Sequence, residues 1–384
     1  MDTKKIRFGI IGCGLMGKEF ASAVSRWCHL TNVNTAPEII AVSDINENAM
    51  SWFTNNIPTI KYATKNYIEL LENDEIDAFY CAVPHNLHKQ IYIDIINSGK
   101  HLLGEKPFGI NLQDNLEILK SVERNPDVTV RCSSEIPYFP GAYRLFNLVK
   151  EGFVDKIIDV EVGFWHSSDL DPNKPINWKR VSITNGEYGC MGDLGMHVLH
   201  LPLRLGWKPK NVRAFLSNIV KHRPNHNGEL VDCDTWDNAI LACDVESGKD
   251  EFPMIMSMKR IAPGHANTWF IKVNGMKGSV EFSTQNPKQL KIMSYSPGED
   301  QEWRVLDVPH ISAFQSITGS IFEFGFSDSI LQMWAAFCEE IVFGKKQDTL
   351  HCVTPEETYH SHVLFTAALE SQKTGKTINL NYGS

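Results

Sequence analysis

Three glycines near the start of the chain, Gly12, Gly14 and Gly17, have the spacing G-x-G-x-x-G within Gly9-Ile10-Ile11-Gly12-Cys13-Gly14-Leu15-Met16-Gly17. The first glycine permits a tight turn after a strand. The second lets backbone approach a pyrophosphate, and the third lets a following helix pack close on the strand. A helix N-terminus then offers amide donors and a positive dipole end to phosphates. The flanks suit this use: Lys5–Ile11 reads as a buried strand, and Leu15, Phe20, Ala23, Val24 and Trp27 follow a helical period. Two further groups of residues bear ionisable side chains. Lys106 stands in Gly104-Glu105-Lys106-Pro107-Phe108-Gly109 at the end of a short strand. Asp193 and His197 lie four apart in Gly189-Cys190-Met191-Gly192-Asp193-Leu194-Gly195-Met196-His197. If that segment opens a helix, carboxylate and imidazole share a face, and histidine is the natural general base near neutral pH. From the segment alone, an N-capping aspartate with a core histidine is an equal reading, and Lys106 alone also reads as a surface lysine.

The elements that would position these groups alternate. The second strand is Glu38–Ser43, with Asp44 at its end, where a carboxylate accepts from ribose hydroxyls and repels a 2′-phosphate. That favours NAD over NADP; helix N-capping for Glu47 onward is a role Asp44 can combine with it. The polar stretch Thr31–Pro37 reads as a loop that lengthens the usual spacing from glycines to acid. Strand Ile76–Val83 ends at Pro84, helix Leu87–Ser98 closes on Gly99, and strand His101–Gly104, helix Leu112–Arg124 and strand Val128–Cys132 follow. This alternation predicts a doubly wound parallel α/β sheet, the Rossmann arrangement, over residues 1–132. After a helix over 140–152, longer strands dominate: 157–165, 212–220, 239–245, 254–259, 269–274, 279–283 and 289–294. Residues 133–384 therefore read as an α+β domain with a large open, mainly antiparallel sheet, ending in helices 329–343 and 355–373 and an extended piece 377–380.

Composition narrows the partners. The 384 residues carry 37 basic and 46 acidic side chains, a net charge of −9, which argues against nucleic acid or an anionic membrane. No apolar run reaches the length of a membrane span, and the start does not read as a signal peptide. Nine cysteines, an odd number without C-x-x-C, read as free thiols of a cytoplasmic protein. The close histidine pairs 85/88, 197/200 and 360/362 lack the companions of a closed zinc site, so no metal is expected.

Together these residues resemble the Gfo/Idh/MocA (glucose-fructose oxidoreductase / inositol dehydrogenase) family over nearly the whole chain. The likeness rests on the glycine run, Ala41-Val42-Ser43-Asp44, Pro84-His85-Asn86-Leu87-His88 and Gly99-Lys100-His101-Leu102-Leu103-Gly104-Glu105-Lys106-Pro107-Phe108. It continues in 189–197 and in Ser371-Gln372-Lys373-Thr374-Gly375-Lys376. The resemblance implies a Rossmann domain for NAD, held by Gly12, Cys13, Gly14, Leu15, Met16, Gly17 and Asp44, with Pro84, His85, His88, Glu105 and Lys106 shaping the cofactor side. It implies oxidation of a secondary hydroxyl on a sugar, cyclitol or glycoside. His197 would take the hydroxyl proton, Asp193 would hold the imidazole or a neighbouring hydroxyl, and Lys106 would donate to the reacting oxygen and touch the nicotinamide ribose. The Lys106–Pro107 peptide is expected to be cis.

The departures from the family pattern surround the expected substrate pocket. Tyr188-Gly189-Cys190-Met191-Gly192 replaces a run of three glycines, His200 stands where an acid is common, and Tyr138-Phe139 replaces Arg-Phe. Tyr138, Trp165, His166, Trp178, Lys179 and Tyr188 are the expected substrate-side residues, with core or loop packing an equal reading for the aromatics. Residues 296–328 read as an insertion that serves as lid or oligomer contact. The half-covered sheet predicts a homodimer or tetramer. Two further activities fit the same residues: an NAD-dependent glycosidase that oxidises transiently and eliminates, and a nucleotide-sensing regulator without catalysis.

Overall fold

A computed structural model describes residues 3–248, 250–308, 312–319, 321–344 and 350–383. The chain forms two compact units. The first comprises 1–109, 113–138 and 312–358; the second comprises 110–112, 139–311 and 359–384. The first unit thus takes in a stretch, 312–358, far C-terminal to the division expected at 132/133.

In the first unit, strands β1 (Lys4–Ile11), β2 (Thr35–Ser43), β3 (Tyr62–Thr64), β4 (Ala78–Cys81), β5 (His101–Gly104) and β6 (Val130–Cys132) form one sheet in the order β3-β2-β1-β4-β5-β6. All its pairings are parallel. Between the strands run α1 (Leu15–Ser25), α2 (Glu47–Asn56), α3 (Tyr67–Leu71), α4 (His88–Asn97) and α5 (Leu112–Arg124). The central strands are buried on both faces, as parallel strands covered by helices must be: Phe8, Ile10, Ile40, Val42, Phe79 and Tyr80 are all fully buried. The order reverses at β1, so the carboxyl ends of β1 and β4 flank the crevice where ligands of such sheets bind.

Two details differ from the sequence reading. Strand β2 begins at Thr35, because Thr35 and Ala36 pair with Lys4 and Lys5, so the expected loop 31–37 is shorter. The short edge strand β3 is one that the polar run Lys61–Thr64 did not announce.

Helix α9 of the chain's later part (Phe326–Phe343) belongs to this unit. Trp334 packs edge-on to Phe8 at 4.5 Å and to Phe20 at 5.2 Å, and Arg26 reaches Asp328 at 2.5 Å. Part of the expected insertion 296–328 is anchored here as well: Thr31 N–H donates to the Gln315 carbonyl, and Ile317 N–H to that of His29. Positions 309–311 and 320 of that stretch lie outside the described residues.

The second unit is built on a ten-stranded sheet. Its strands are β7 (Ile157–Trp165), β8 (Lys208–Pro209), β9 (Asn211–Ser217), β12 (Asn238–Ser247), β13 (Asp250–Lys259), β14 (Thr268–Gly275), β15 (Gly278–Ser283), β16 (Gln289–Ser294), β17 (Arg304–Asp307) and β18 (Ile378–Asn379); β10 (His222–Pro224) and β11 (Leu230–Asp232) form a separate hairpin. Among the described residues only β7 and β13 pair in parallel; every other pairing in the sheet is antiparallel. One face is covered by α6 (Pro140–Lys150) and α8 (Cys190–Arg204), with a short α7 (Ser182–Asn185) before α8; α10 (Pro355–Thr374), part of this unit from residue 359, precedes β18. Alternation along β7 puts Val160, Val162 and Phe164 on the covered face and Glu161 and Trp165 on the open one. Among the described residues no helix is long and apolar enough to cross a membrane.

Candidate active site

In the first unit the expected residues gather because parallel strands put all their carboxyl ends on one edge. Gly12 follows β1 with φ +98°, and a Cβ there would sit 2.3 Å from the Ala82 carbonyl oxygen. A Cβ on Gly17 would lie 2.4 Å from the Gly12 carbonyl oxygen, so the third glycine does bring α1 down onto the turn. Gly14, the residue before α1, has open space where a Cβ would point. Leu15 is exposed, Met16 half-buried and Cys13 buried, with burial pushing the Cys13 thiol up to about 12.

Asp44 follows β2. Its Oδ2 accepts from the Cys13 N–H at 2.8 Å and its Oδ1 from the Asn46 N–H at 2.8 Å. The carboxylate therefore braces the glycine turn. It does not cap α2: that role belongs to Asn46, whose side chain accepts from Asn48 N–H at 3.1 Å. Ile45 beside it is 87 % exposed, an apolar lip that the sequence reading passed over. Its signal was an isoleucine directly after a strand-end acid, in a polar run. A turn with open space at Gly14, a helix start aimed at it, and an acid and an apolar lip at the next strand end fit the diphosphate, ribose and adenine of a dinucleotide.

The next two strand ends are stitched together by histidine and tyrosine. His88, fully buried, places Nδ1 2.7 Å from the Pro107 carbonyl oxygen and Nε2 2.9 Å from that of Val83. Burial pushes its imidazole down to about 4, against the pull of those two carbonyls. Tyr92 stacks on His88 and donates to the Glu105 carbonyl at 2.6 Å, while Tyr80 donates to Glu105 Oε1 at 2.8 Å. Lys106, half-buried, thus emerges from a segment whose neighbours are fixed on both sides. Its peptide bond to Pro107 is cis. Pro84 is half-buried and His85 buried, its ring 5.3 Å from that of His88.

The sequence reading missed Glu135, which follows β6 at the same edge and is 3 % exposed. Burial pushes its carboxyl up to about 7, with Glu105 adding to the shift and Lys106 opposing it.

In the second unit, α8 starts from Gly189 without a side-chain cap, so Asp193 sits inside the first turns and is not the N-cap. Asp193 is 2 % exposed. Lys179 Nζ holds its Oδ1 at 2.9 Å and Arg260 holds its Oδ2. One turn on, His197 is 6 % exposed; its ring meets Phe164 edge-on at 5.4 Å, and its carbonyl accepts from Trp269 Nε1 at 3.0 Å. Phe164 also contacts His166 at 4.6 Å, and Lys179 lies 5.4 Å over Trp178. His166, Trp178 and Lys179 are therefore grouped with Asp193 and His197.

Three expected substrate-side residues are placed elsewhere. Trp165 points to the open face of the sheet, where Lys259 covers its ring at 4.3 Å and Ser257 accepts its indole N–H. Strand pleat separates it from Phe164. Tyr188 is 1 % exposed, packed against His362 and Phe365, with its hydroxyl 2.8 Å from Thr366 Oγ1. Tyr138 is fully buried in the first unit, 3.6 Å from Cys352 Sγ. Both tyrosines are core residues. Arg260 was the converse omission, since its only signal was a strand-end arginine some seventy residues from Asp193.

The model of an oxidoreductase family with an NAD-binding Rossmann fold matches residues 6–132, and that of the family's C-terminal α/β domain matches 147–380. The chain belongs to the Gfo/Idh/MocA oxidoreductase family. It is similar to levoglucosan dehydrogenase of Pseudarthrobacter phenanthrenivorans, 21 % identical over 318 residues that cover 78 % of each chain. It is also similar to glucose-6-phosphate 3-dehydrogenase of Bacillus subtilis, 25 % identical over 290 residues, 75 % of this chain and 77 % of that one. Its fold is that of a levoglucosan dehydrogenase solved in complex with NADH and levoglucosan: TM-score 0.87 at 19 % identity, covering 98 % of this chain and all of the other.

Proposed function

We propose that this member of the family is an NAD-dependent dehydrogenase that oxidises a secondary hydroxyl of a sugar, cyclitol or glycoside. The observation that carries the reading is the pair Asp193 and His197, one helical turn apart on α8, with the carboxylate gripped by two cations. When bound, NAD supplies the hydride acceptor. The chain's own residues handle the rest: a ring nitrogen of His197 takes the hydroxyl proton, and Lys106, at the end of β5, shapes the cofactor side. The products are a ketone, NADH and a proton. Sugar-acting relatives and the aromatic Trp178 beside Lys179 support a carbohydrate substrate.

The test is incubation with NAD and a panel containing levoglucosan, glucose 6-phosphate, myo-inositol and simple glycosides. The reading expects NADH to accumulate in step with a keto product. Cleavage of a glycoside without net NADH would instead make the protein a glycosidase of the transient-oxidation kind. NAD binding without turnover on any member would favour a regulator.

The same reading includes a cytoplasmic homo-oligomer. Phe215, Ile240 and Ile255 lie on the open face of β9, β12 and β13 and are at least 40 % exposed, an apolar strip suited to a second copy. A monomer by light scattering at micromolar concentration would sink that part.

A further inference from the structure

The grip on Asp193 is one end of a longer chain of charges inside the second unit. Arg260 closes β13, and its Nε donates to Asp169 Oδ2 at 2.7 Å. Asp169, fully buried in the loop after β7, also faces Arg180 at 3.7 Å and Lys174 at 3.7 Å. Arg180, fully buried in the 178–180 turn, pairs in turn with Asp237 just before β12. Burial pushes the Asp169 carboxyl up, but Arg260, Arg180 and Lys174 outweigh it and hold it below the usual value. Removing charges from water costs several kcal/mol per ion, so a buried ladder of this length is weak evidence for stability alone. It does fix geometry at Arg260, whose Nε donates to Asp169 while Nη1 pairs with Asp193.

We propose that Arg260 is a positioning residue for the proton transfer: clamped by Asp169, it and Lys179 hold both oxygens of Asp193 and so fix the carboxylate that stands one turn before His197 on α8. The proposal rests on the reading of His197 as the base. Its consequence is electrostatic. An Asp193 carboxylate shared with two cations stabilises the imidazolium less than a free one would, so the ladder keeps His197 able to lose its proton near neutral pH. The other charged and titratable groups around these turns belong to several elements: His200 on α8, His166 after β7, Lys179 and Arg180 in the turn, Asp237 before β12 and His362 on α10. Of these only Lys179 is altered, and only in Lys179→Met.

The test needs no substrate. The titration of His197 is followed by NMR of protein carrying ¹³C-labelled histidine, with the His197 signal assigned by its loss in His197→Gln. In Arg260→Met the midpoint should rise by about one pH unit, a tenfold change in proton affinity. In Arg260→Lys it should move by less. In an Asp193→Asn background, adding Arg260→Met should change the midpoint little, because Arg260 acts through Asp193. Equal shifts in the two backgrounds would show a direct field of Arg260 on His197 and overturn the proposal. An unmoved midpoint in a protein with a lowered melting temperature would overturn it too, leaving Arg260 a structural residue.

Arg260→Met leaves Asp169 with Arg180 and Lys174, so the buried acid is not stranded. Should that variant fail to fold, Lys179→Met frees Asp193 Oδ1 from a side chain 30 % exposed and predicts a rise of the same sign. No rise there would count equally against the proposal. Because the readout is a titration, its failure is distinct from failure to oxidise any sugar, which would instead sink the reading of the function.

Discussion

The turn around Gly12 and the head of α8, to which the proposed function gives one half of the chemistry each, are built by opposite means. The first is made of backbone. Gly12 and Gly17 leave no room for a Cβ, and one carboxylate, Asp44, ties the turn through two amide hydrogens. The second is made of side-chain charge. Asp193 is fixed by Lys179 and Arg260, and Arg260 by Asp169, on segments spread from residue 169 to 260. The backbone device leaves no room for a side chain at Gly12 or Gly17 and is tied by a single carboxylate. The charge device fixes Asp193 one helical turn before His197, and it draws its members from distant segments.

If that contrast is right, substitutions should fail in different ways. The largest effect is expected at Gly12. Valine there combines a positive φ, worth about 1–3 kcal/mol against a non-glycine residue, with a clash on the Ala82 backbone. NAD affinity by calorimetry should fall more than about a hundredfold, roughly 2.7 kcal/mol, while the second unit's tryptophan fluorescence keeps its native spectrum. Retained affinity would mean that the glycine turn is only a turn.

Of similar size is the pH response of His88. Its imidazole is held at about 4 in the fold against 6.5 in the unfolded chain, so the folded state binds its proton less readily. The stability this represents is present above pH 6.5 and is lost as pH falls from 6.5 toward 4, by roughly 3 kcal/mol at the low end. Denaturant melts of the unmodified protein should therefore weaken across that window by more than those of His88→Leu. Parallel curves would show that His88 does not carry the response.

The smallest effect concerns Asp44. A carboxylate at the end of β2 should favour NAD over NADP by about tenfold, roughly 1.4 kcal/mol, and Asp44→Ala should narrow the gap. Because Asp44 also braces the Cys13 amide, NAD affinity itself should drop modestly. Equal affinity of the unmodified protein for both dinucleotides would remove the ribose role and leave only the brace.

What the sequence disclosed follows the same divide. The glycine spacing, the strand-end acid at 44 and the alternation of strands and helices are local patterns, written in neighbouring residues, and the parallel sheet follows from them. The i, i+4 pair at 193 and 197 was legible for the same reason. The charge ladder that leads to Asp193 was not, because Asp169, Arg180, Asp237 and Arg260 meet only after β7, β12 and β13 have paired. The aromatic residues were ambiguous by nature. A tryptophan at 165 and one at 178 look alike in sequence, and only the pleat of β7 puts Trp165 on the open face. Tyr138 and Tyr188 carry hydroxyls that look exposed on paper, yet each finds a buried partner. The return of 312–358 to the first unit depends on Trp334 meeting Phe8 and Phe20, a contact across more than three hundred residues.

On the proposed function, NAD binding and proton removal are carried by separate devices, and His197 performs the second. That division is tested most directly by measuring turnover and NAD affinity on one sample of His197→Ala, with a thermal melt to count folded molecules. Turnover per folded molecule should fall by on the order of 10²–10⁴, the usual contribution of a general base, while NAD affinity stays within about twofold. A well-folded His197→Ala protein with near-normal turnover would contradict the account.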